Sequence, residues 1–189
     1  MRVIAGDYKG RKLIAPKGSE ARPTADRVKE AIFSMVEPEL PDSVCLDLFA
    51  GSGALGIEAL SRGAKRVYFC DASPSSIAAI KKNLDDCRVD SARAVTLARD
   101  WRAAAKGLSE KCNLVFIDAP YNMCEHYSQI LEKLARENAL EENALIVIER
   151  DVSAGGYALP EGFEKLREKR YGSVGVDLLV YADTGEEND

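Results

Sequence analysis

The sequence predicts an α/β protein built on a mainly parallel, seven-stranded sheet, and three observations predict it. Short runs of Val, Ile and Leu recur between residues 44 and 148, stretches of helical periodicity separate them, and Gly, Pro or polar clusters punctuate the joins. Continuous apolar strands alternating with helices require a sheet covered on both faces, which is the pattern of parallel pairing.

Element by element, Arg2-Val3-Ile4-Ala5 and Arg11-Lys12-Leu13-Ile14 flank the turn-rich Gly6-Asp7-Tyr8-Lys9-Gly10, the pattern of a β-hairpin. A helix opens behind Arg22-Pro23 with Thr24 as its N-cap, carries Ala31, Ile32, Met35 and Val36 on its apolar face, and stops at Pro38. Strands are expected at 44–48, 66–70, 94–97, 113–117 and 144–148, and helices at 54–61, 75–84 and 125–136. Residues 163–171 and 175–181, joined by Gly172-Ser173, read as a closing antiparallel pair. Residues 1–182 are expected to form one domain, with 1–20 as a hairpin extension and 21–182 as the core. The acidic, polar segment 183–189 is expected to be disordered.

Composition narrows the class. The chain has 189 residues, of which 46% are hydrophobic and 30% charged, as in a globular domain with a single core. No apolar run approaches the roughly 20 residues that span a bilayer, and the opening residues lack the apolar stretch of a signal peptide. A cytoplasmic protein with no membrane partner is the expectation. Cys45, Cys70, Cys87, Cys112 and Cys124 stand singly, which predicts reduced, buried thiols and no metal site. Net charge is −5, yet residues 1–29 hold eight basic against three acidic side chains, a local +5 that leaves −10 for the rest. A basic arm on an acidic body suits a phosphate-bearing partner.

Ligands of such sheets bind at the carboxyl ends of the strands. Strand 44–48 runs into Asp47-Leu48-Phe49-Ala50-Gly51-Ser52-Gly53-Ala54-Leu55-Gly56, a G-x-G-x-x-G loop, and Asp71 follows about 20 residues on, placed to accept hydrogen bonds from a ribose. Both NAD and S-adenosylmethionine present an adenosine to such a loop. Asp47 favours the second, because a carboxylate repels a pyrophosphate and attracts an ammonium and a sulfonium. Asp100 is placed to accept from an adenine amine, and Trp101 either stacks beside it or belongs to the core.

Strand 113–117 leads into Asp118-Ala119-Pro120-Tyr121. A purine amine is a weak nucleophile, since its lone pair is delocalised into the ring. Two acceptors, the Asp118 carboxylate and the Ala119 carbonyl, would hold the nitrogen toward a tetrahedral shape, and Tyr121 offers a face for an extruded base. His126, the one histidine, is expected on the surface or at a helix cap.

Asp118-Ala119-Pro120-Tyr121 is similar to the (D/N)PPY signature of amino methyltransferases. Arg22-Pro23-Thr24-Ala25-Asp26-Arg27-Val28-Lys29-Glu30, the stretch from Leu48 to Gly63, and the Ile4-Ala5-Gly6 and Gly10-Arg11-Lys12-Leu13 segments resemble the RsmD family, bacterial 16S rRNA guanine-N2 methyltransferases. The resemblance runs from residue 2 to about 180. It implies a Rossmann-like methyltransferase fold with S-adenosylmethionine as cofactor, acting on small-subunit rRNA or the assembling 30S particle; a monomer is the simpler expectation. It further implies that Asp47, Phe49, Gly51, Ser52, Gly53, Asp71, Ala72, Asp100 and Trp101 bind the cofactor. Asp118, Ala119, Pro120 and Tyr121 would hold the base, and Arg11, Lys12, Arg22, Thr24 and Arg27 would contact RNA. The family has proline where this chain has Ala119, which predicts a looser catalytic loop. Adenine-N6 methylation and a non-catalytic rRNA-binding role in assembly stay open as alternatives.

Overall fold

The computed structural model describes residues 1–17 and 26–182, with the side chains of Tyr121, Asn122 and Cys124 outside the described set. Seven strands form one sheet in the order β3-β2-β1-β4-β5-β7-β6. The parallel part comprises β1 (Val44–Leu48), β2 (Arg66–Asp71), β3 (Ala94–Ala98), β4 (Cys112–Asp118) and β5 (Leu140–Asp151). The hairpin of β6 (Phe163–Tyr171) and β7 (Val174–Tyr181) inserts β7 antiparallel against β5 and leaves β6 at the margin. The expected α/β sheet and its antiparallel C-terminal strand are therefore present.

Alternation along the strands divides the core in two. Cys45, Phe69, Phe116 and Val147 face α1 (Asp26–Val36), α2 (Ala54–Ser61) and α3 (Pro74–Cys87). Leu48, Cys70, Ile117 and Ile148 face α4 (Tyr127–Arg136) and the 3-10 turn Trp101–Gly107. On the first face Phe33 of α1 meets Phe116 with ring centroids 5.5 Å apart. Complete burial of such a side chain contributes about 1.5–3 kcal/mol. Gly56 lets α2 settle on β2, since a Cβ there would lie 2.3 Å from Cε1 of Phe69. Cys45, Cys70, Cys87 and Cys112 are buried and free, and burial pushes the Cys45 and Cys70 thiols up to about 12, too high for reactivity.

The N-terminal segment forms the expected hairpin: Val3 N–H donates to the Arg11 carbonyl at 2.9 Å, Gly10 N–H to the Val3 carbonyl at 2.9 Å and Leu13 N–H to the Met1 carbonyl at 3.1 Å. Arg2 and Lys12 form an antiparallel bridge between the two arms, apart from the main sheet. Other backbone donors of the hairpin dock it on α2. The N–H groups of Ile4 and Ala5 donate to the Glu58 carboxylate at 2.8 and 3.0 Å, and those of Asp7 and Tyr8 donate to the Ser61 carbonyl and hydroxyl at 2.8 and 2.9 Å. The hairpin is thus bonded to α2 as well as to itself. Gly6 makes the approach possible: its φ is +78°, and a Cβ would stand 1.8 Å from the Ser61 carbonyl oxygen.

Other boundaries shift for local reasons. Helix α3 starts at Pro74 behind the Ser73 cap, and β5 begins at Leu140, paired to Cys112 across an irregularity. The first turn of the helix expected from residue 125 is 3-10, and α4 proper begins at Tyr127. Thr24 as a cap and the tail 183–189 lie outside the described residues.

One polar cluster ties the C-terminal hairpin to β5. Asp177, with no solvent exposure, accepts from Arg150 Nε at 2.9 Å, Tyr157 Oη at 2.9 Å and Lys165 Nζ at 3.1 Å. Burial alone would raise its carboxyl. The hydrogen bonds from Arg150, Lys165 and Tyr157 outweigh that and hold it below the ordinary range.

Candidate active site

The chain leaves β1 on opposite sides to form β2 and β4, so the topological switch point falls between β1 and β4. The tips are in register: Leu48 sits beside Cys70 on one side and Ile117 on the other, which places Phe49, Asp71 and Asp118 level with one another. The ledge from β3 to β4 spans three strand spacings, about 14 Å. The glycine loop and the Asp118 loop thus rise from adjacent strands at the same edge.

Asp47 is not at the mouth of the loop, as its charge-attracting role would suggest. It is 2% exposed and lies beneath the loop, where Oδ2 accepts the Gly56 N–H at 2.9 Å. Burial, with smaller contributions from the carboxylates of Asp118 and Asp71, raises its pKa to about 8. It acts first as the anchor of the turn entering α2. Asp71 grips the same loop from the side, its Oδ2 accepting from Gly51 N–H and its Oδ1 from Ser73 N–H, both at 2.8 Å. Each Asp71 oxygen retains a second lone pair for a ligand. The loop is held in a costly shape: Phe49, Gly51 and Gly53 have φ of 64°, 56° and 77°. For Phe49 this left-handed conformation costs about 1–2 kcal/mol, a strain found where a backbone is shaped for a ligand.

The remaining expected cofactor residues are placed unevenly. Ala72 is exposed at the rim beside Asp71. Ser52 is 8% exposed, covered by Met1, and its carbonyl accepts from Asn83. Asp100 caps the 3-10 turn through the Arg102 N–H at 2.9 Å and pairs with the Arg102 guanidinium at 3.1 Å, half-exposed at the β3 end of the ledge. Trp101 belongs to the core, at 8% exposure, with Arg102 over its face at 4.5 Å and His126 edge-on at 6.3 Å. Of the two roles the sequence left open, the packing role is the one these contacts describe. His126 occupies the N-cap position of α4 but forms no side-chain cap, and its Nδ1 is buried.

At the Asp118 loop, Asp118 ends β4 half-buried, Ala119 is 3% exposed, and the Pro120 carbonyl accepts from Met123 N–H at 2.8 Å to close the turn. The Tyr121 backbone continues that turn, and its side chain is outside the described set. Of the expected RNA residues, Arg11, Lys12 and Arg27 are exposed, and Arg22 and Thr24 lie outside the described residues. Asp26 at the start of α1 bonds Arg2, and the adjoining Met1 lies against Ser52, so the start of α1 and Arg27 lie toward the edge that carries the glycine loop.

Two residues that bear on the site escape the sequence reading. Glu58 holds the N-terminal segment, and Asn83 both accepts from the Ile14 N–H at 2.8 Å and donates to the Ser52 carbonyl at 2.9 Å. The available signal was a lone carboxylate in the otherwise apolar helix Ala54–Ser61. Among the described residues no group of His, Cys, Asp and Glu is placed to hold a metal ion, and no helix is long and apolar enough to cross a membrane.

With this geometry in hand, comparison with known proteins is decisive. The family model described as Conserved hypothetical protein 95 matches residues 1–180. The chain is 36% identical over 188 residues to Ribosomal RNA small subunit methyltransferase D of Escherichia coli K12, covering 98% of this chain and 92% of that one. The chain belongs to this methyltransferase family. A second member, from Haemophilus influenzae, is 37% identical over 182 residues and shares 94% of this chain and 92% of its own. The solved Escherichia coli structure named "Putative methyltransferase yhhF" superposes with a TM-score of 0.82 at 31% identity, over 96% of this chain and 98% of that one. The family resemblance and the Rossmann-like sheet expected from the motifs are both present.

Proposed function

We propose that this enzyme transfers a methyl group from S-adenosylmethionine to the exocyclic N2 amine of a guanine in small-subunit 16S rRNA. The observation that carries the reading is the level placement of the Gly51–Gly53 loop and Asp118 on neighbouring strand tips, β1 and β4. The relatives named for rRNA methylation support the substrate.

The residues present suit this donor. Asp71 and Asp118 put two carboxylates at the tips, with the protonated Asp47 beneath them, and this acidic rim repels a pyrophosphate. Asp71 and Asp100 would take the adenosine, Phe49, Gly51, Ser52, Gly53 and Ala72 would shape the loop around it, and Asp47 would support that loop from below. The donor supplies an electrophilic methyl group. Asp118 and the Ala119 carbonyl accept the two amine hydrogens, which turns the nitrogen lone pair outward, and Pro120 fixes the direction of the loop. Tyr121 gives the base a stacking surface. As the amine becomes cationic, the same carboxylates stabilise it without having to reorganise.

Residues 1–20, with Arg11 and Lys12, and the start of α1, with Arg27 and the preceding Arg22 and Thr24, form the RNA-contacting side. The enzyme acts as a monomer in the cytoplasm, on rRNA or on the assembling 30S particle. Incubation with labelled S-adenosylmethionine and under-methylated small subunits, beside naked 16S rRNA, tests this. Label in N2-methylguanosine is the expected result, and label in N6-methyladenosine or in no nucleoside overturns it.

A further inference from the structure

Beyond Asp118 the sheet continues away from the glycine loop. β4 separates β1 from β5, so the cofactor ledge occupies β3, β2 and β1, and the neighbour of Asp118 on the far side is β5. There the register pairs Asp118 with Glu149. The preceding pairs fix the direction of both side chains. Phe116 and Val147 lie in the core under α1 and α2, and Ile117 and Ile148 in the core under α4. One residue further on, Asp118 and Glu149 therefore return to the α1 face, side by side on strands about 4.8 Å apart. Glu149 is 8% exposed, and its main-chain carbonyl accepts from Tyr127 Oη at 3.2 Å, which steadies the strand tip. Arg150, next along the chain, points to the opposite face and is committed to Asp177 and Glu168.

We infer that Glu149 is a specificity-determining residue, its carboxylate accepting the N1–H of the target guanine while Asp118 accepts from the adjacent N2 amine. The inference rests on the proposed guanine reading and adds how that base is chosen. Guanine presents a row of donors, N1–H beside the N2 amine. Adenine presents its amine beside N1 as an acceptor. An ionised carboxylate only accepts, so a second carboxylate beside Asp118 matches guanine and sets lone pair against lone pair on adenine. A flipped base is read along this Watson–Crick edge. A buried acceptor left without its donor costs far more than a missing methylene, so one such contact discriminates strongly.

The test uses 16S rRNA assembled into small subunits, with the position mapped from the wild-type product and refilled by ligation with guanosine or with 2-aminopurine riboside. The analogue keeps the N2 amine and lacks N1–H. For wild type, kcat/KM is expected to favour guanosine by about 100-fold or more. In Glu149→Gln the turned amide donates to the analogue's N1, and the preference is expected to fall to about 10-fold or less, with cofactor Kd unchanged. Equal wild-type rates on both bases overturn the inference, as does a Glu149→Gln variant that slows both substrates by the same factor. Failure of wild type to label guanine N2 at all is a separate result, and it overturns the functional reading underneath.

Discussion

The Lys29 ammonium lies 3.0 Å from the Glu58 carboxylate, and the two side chains are 1% and 0% exposed. Arg62 Nε joins the same carboxylate at 2.9 Å, Lys29 also donates to the Arg2 carbonyl at 2.5 Å, and the N–H groups of Ile4 and Ala5 complete the shell. One buried carboxylate thus links α1, α2 and the N-terminal segment.

Removing it leaves a buried ammonium without a counter-charge. Glu58→Ala is expected to destabilise the fold by about 3–5 kcal/mol, read by urea denaturation, and to expose residues 1–15 to limited proteolysis. The double variant Lys29→Met/Glu58→Gln should lose less than the two single changes summed. A loss below about 1 kcal/mol for Glu58→Ala would show that the cluster contributes little.

Asp47 should make stability and cofactor binding depend on pH. In the folded protein it keeps its proton to about pH 8, whereas the unfolded chain releases it near 4. The native state therefore binds the extra proton between those values, so stability falls as pH rises through that window and the loss is complete above about 8. Asp47→Asn retains an oxygen for Gly56 N–H and should flatten the curve in thermal melts. A cationic ligand favours ionised Asp47, so S-adenosylmethionine affinity should rise from pH 6 to 8 with proton release. Calorimetry in buffers of different ionisation enthalpy measures both.

Asp118→Ala should reduce transfer by at least about 100-fold, the scale on which a positioned acceptor contributes, while cofactor affinity stays within about twofold of wild type. Single-turnover labelling beside equilibrium binding separates the two. Parallel loss of both would place Asp118 in the cofactor site instead.

Arg27 is exposed at the start of α1. Arg27→Ala should weaken RNA binding uniformly across sequences and reduce the slope of log K against log salt by about 1. Filter binding across a salt series checks it, and an unchanged slope would remove this residue from the RNA face.

Periodicity and punctuation made the fold legible before any coordinates. β1 and α2 fall where apolar runs and Gly63 place them, because a buried parallel strand and its covering helix leave strong local patterns. The pairing of Gly51-Ser52-Gly53 with Asp118 was legible for the same reason, since each motif ends a readable strand. What stayed hidden is long-range. Glu58 stands out as a carboxylate in an apolar helix, but its partners, the backbone N–H groups of Ile4 and Ala5, arrive from 53 or 54 residues away. Trp101 cannot be assigned to core or ligand without knowing that Arg102 and His126 already cover it. Glu149 lies just past the apolar run of residues 144–148, and only the register with β4 sets it beside Asp118.

The charged outer strand β6 has a protective consequence. From Glu164 to Arg170 its side chains are exposed, and all but Leu166 carry a charge, of both signs, so a second molecule meets a charged margin on which extending the sheet is disfavoured. β7 behind it runs Val-Gly-Val-Asp-Leu-Leu-Val-Tyr and is largely buried. A chain truncated or locally melted at β6 would bare that segment and should form fibrous aggregates, which makes this border a guard against self-assembly as well as part of the wall.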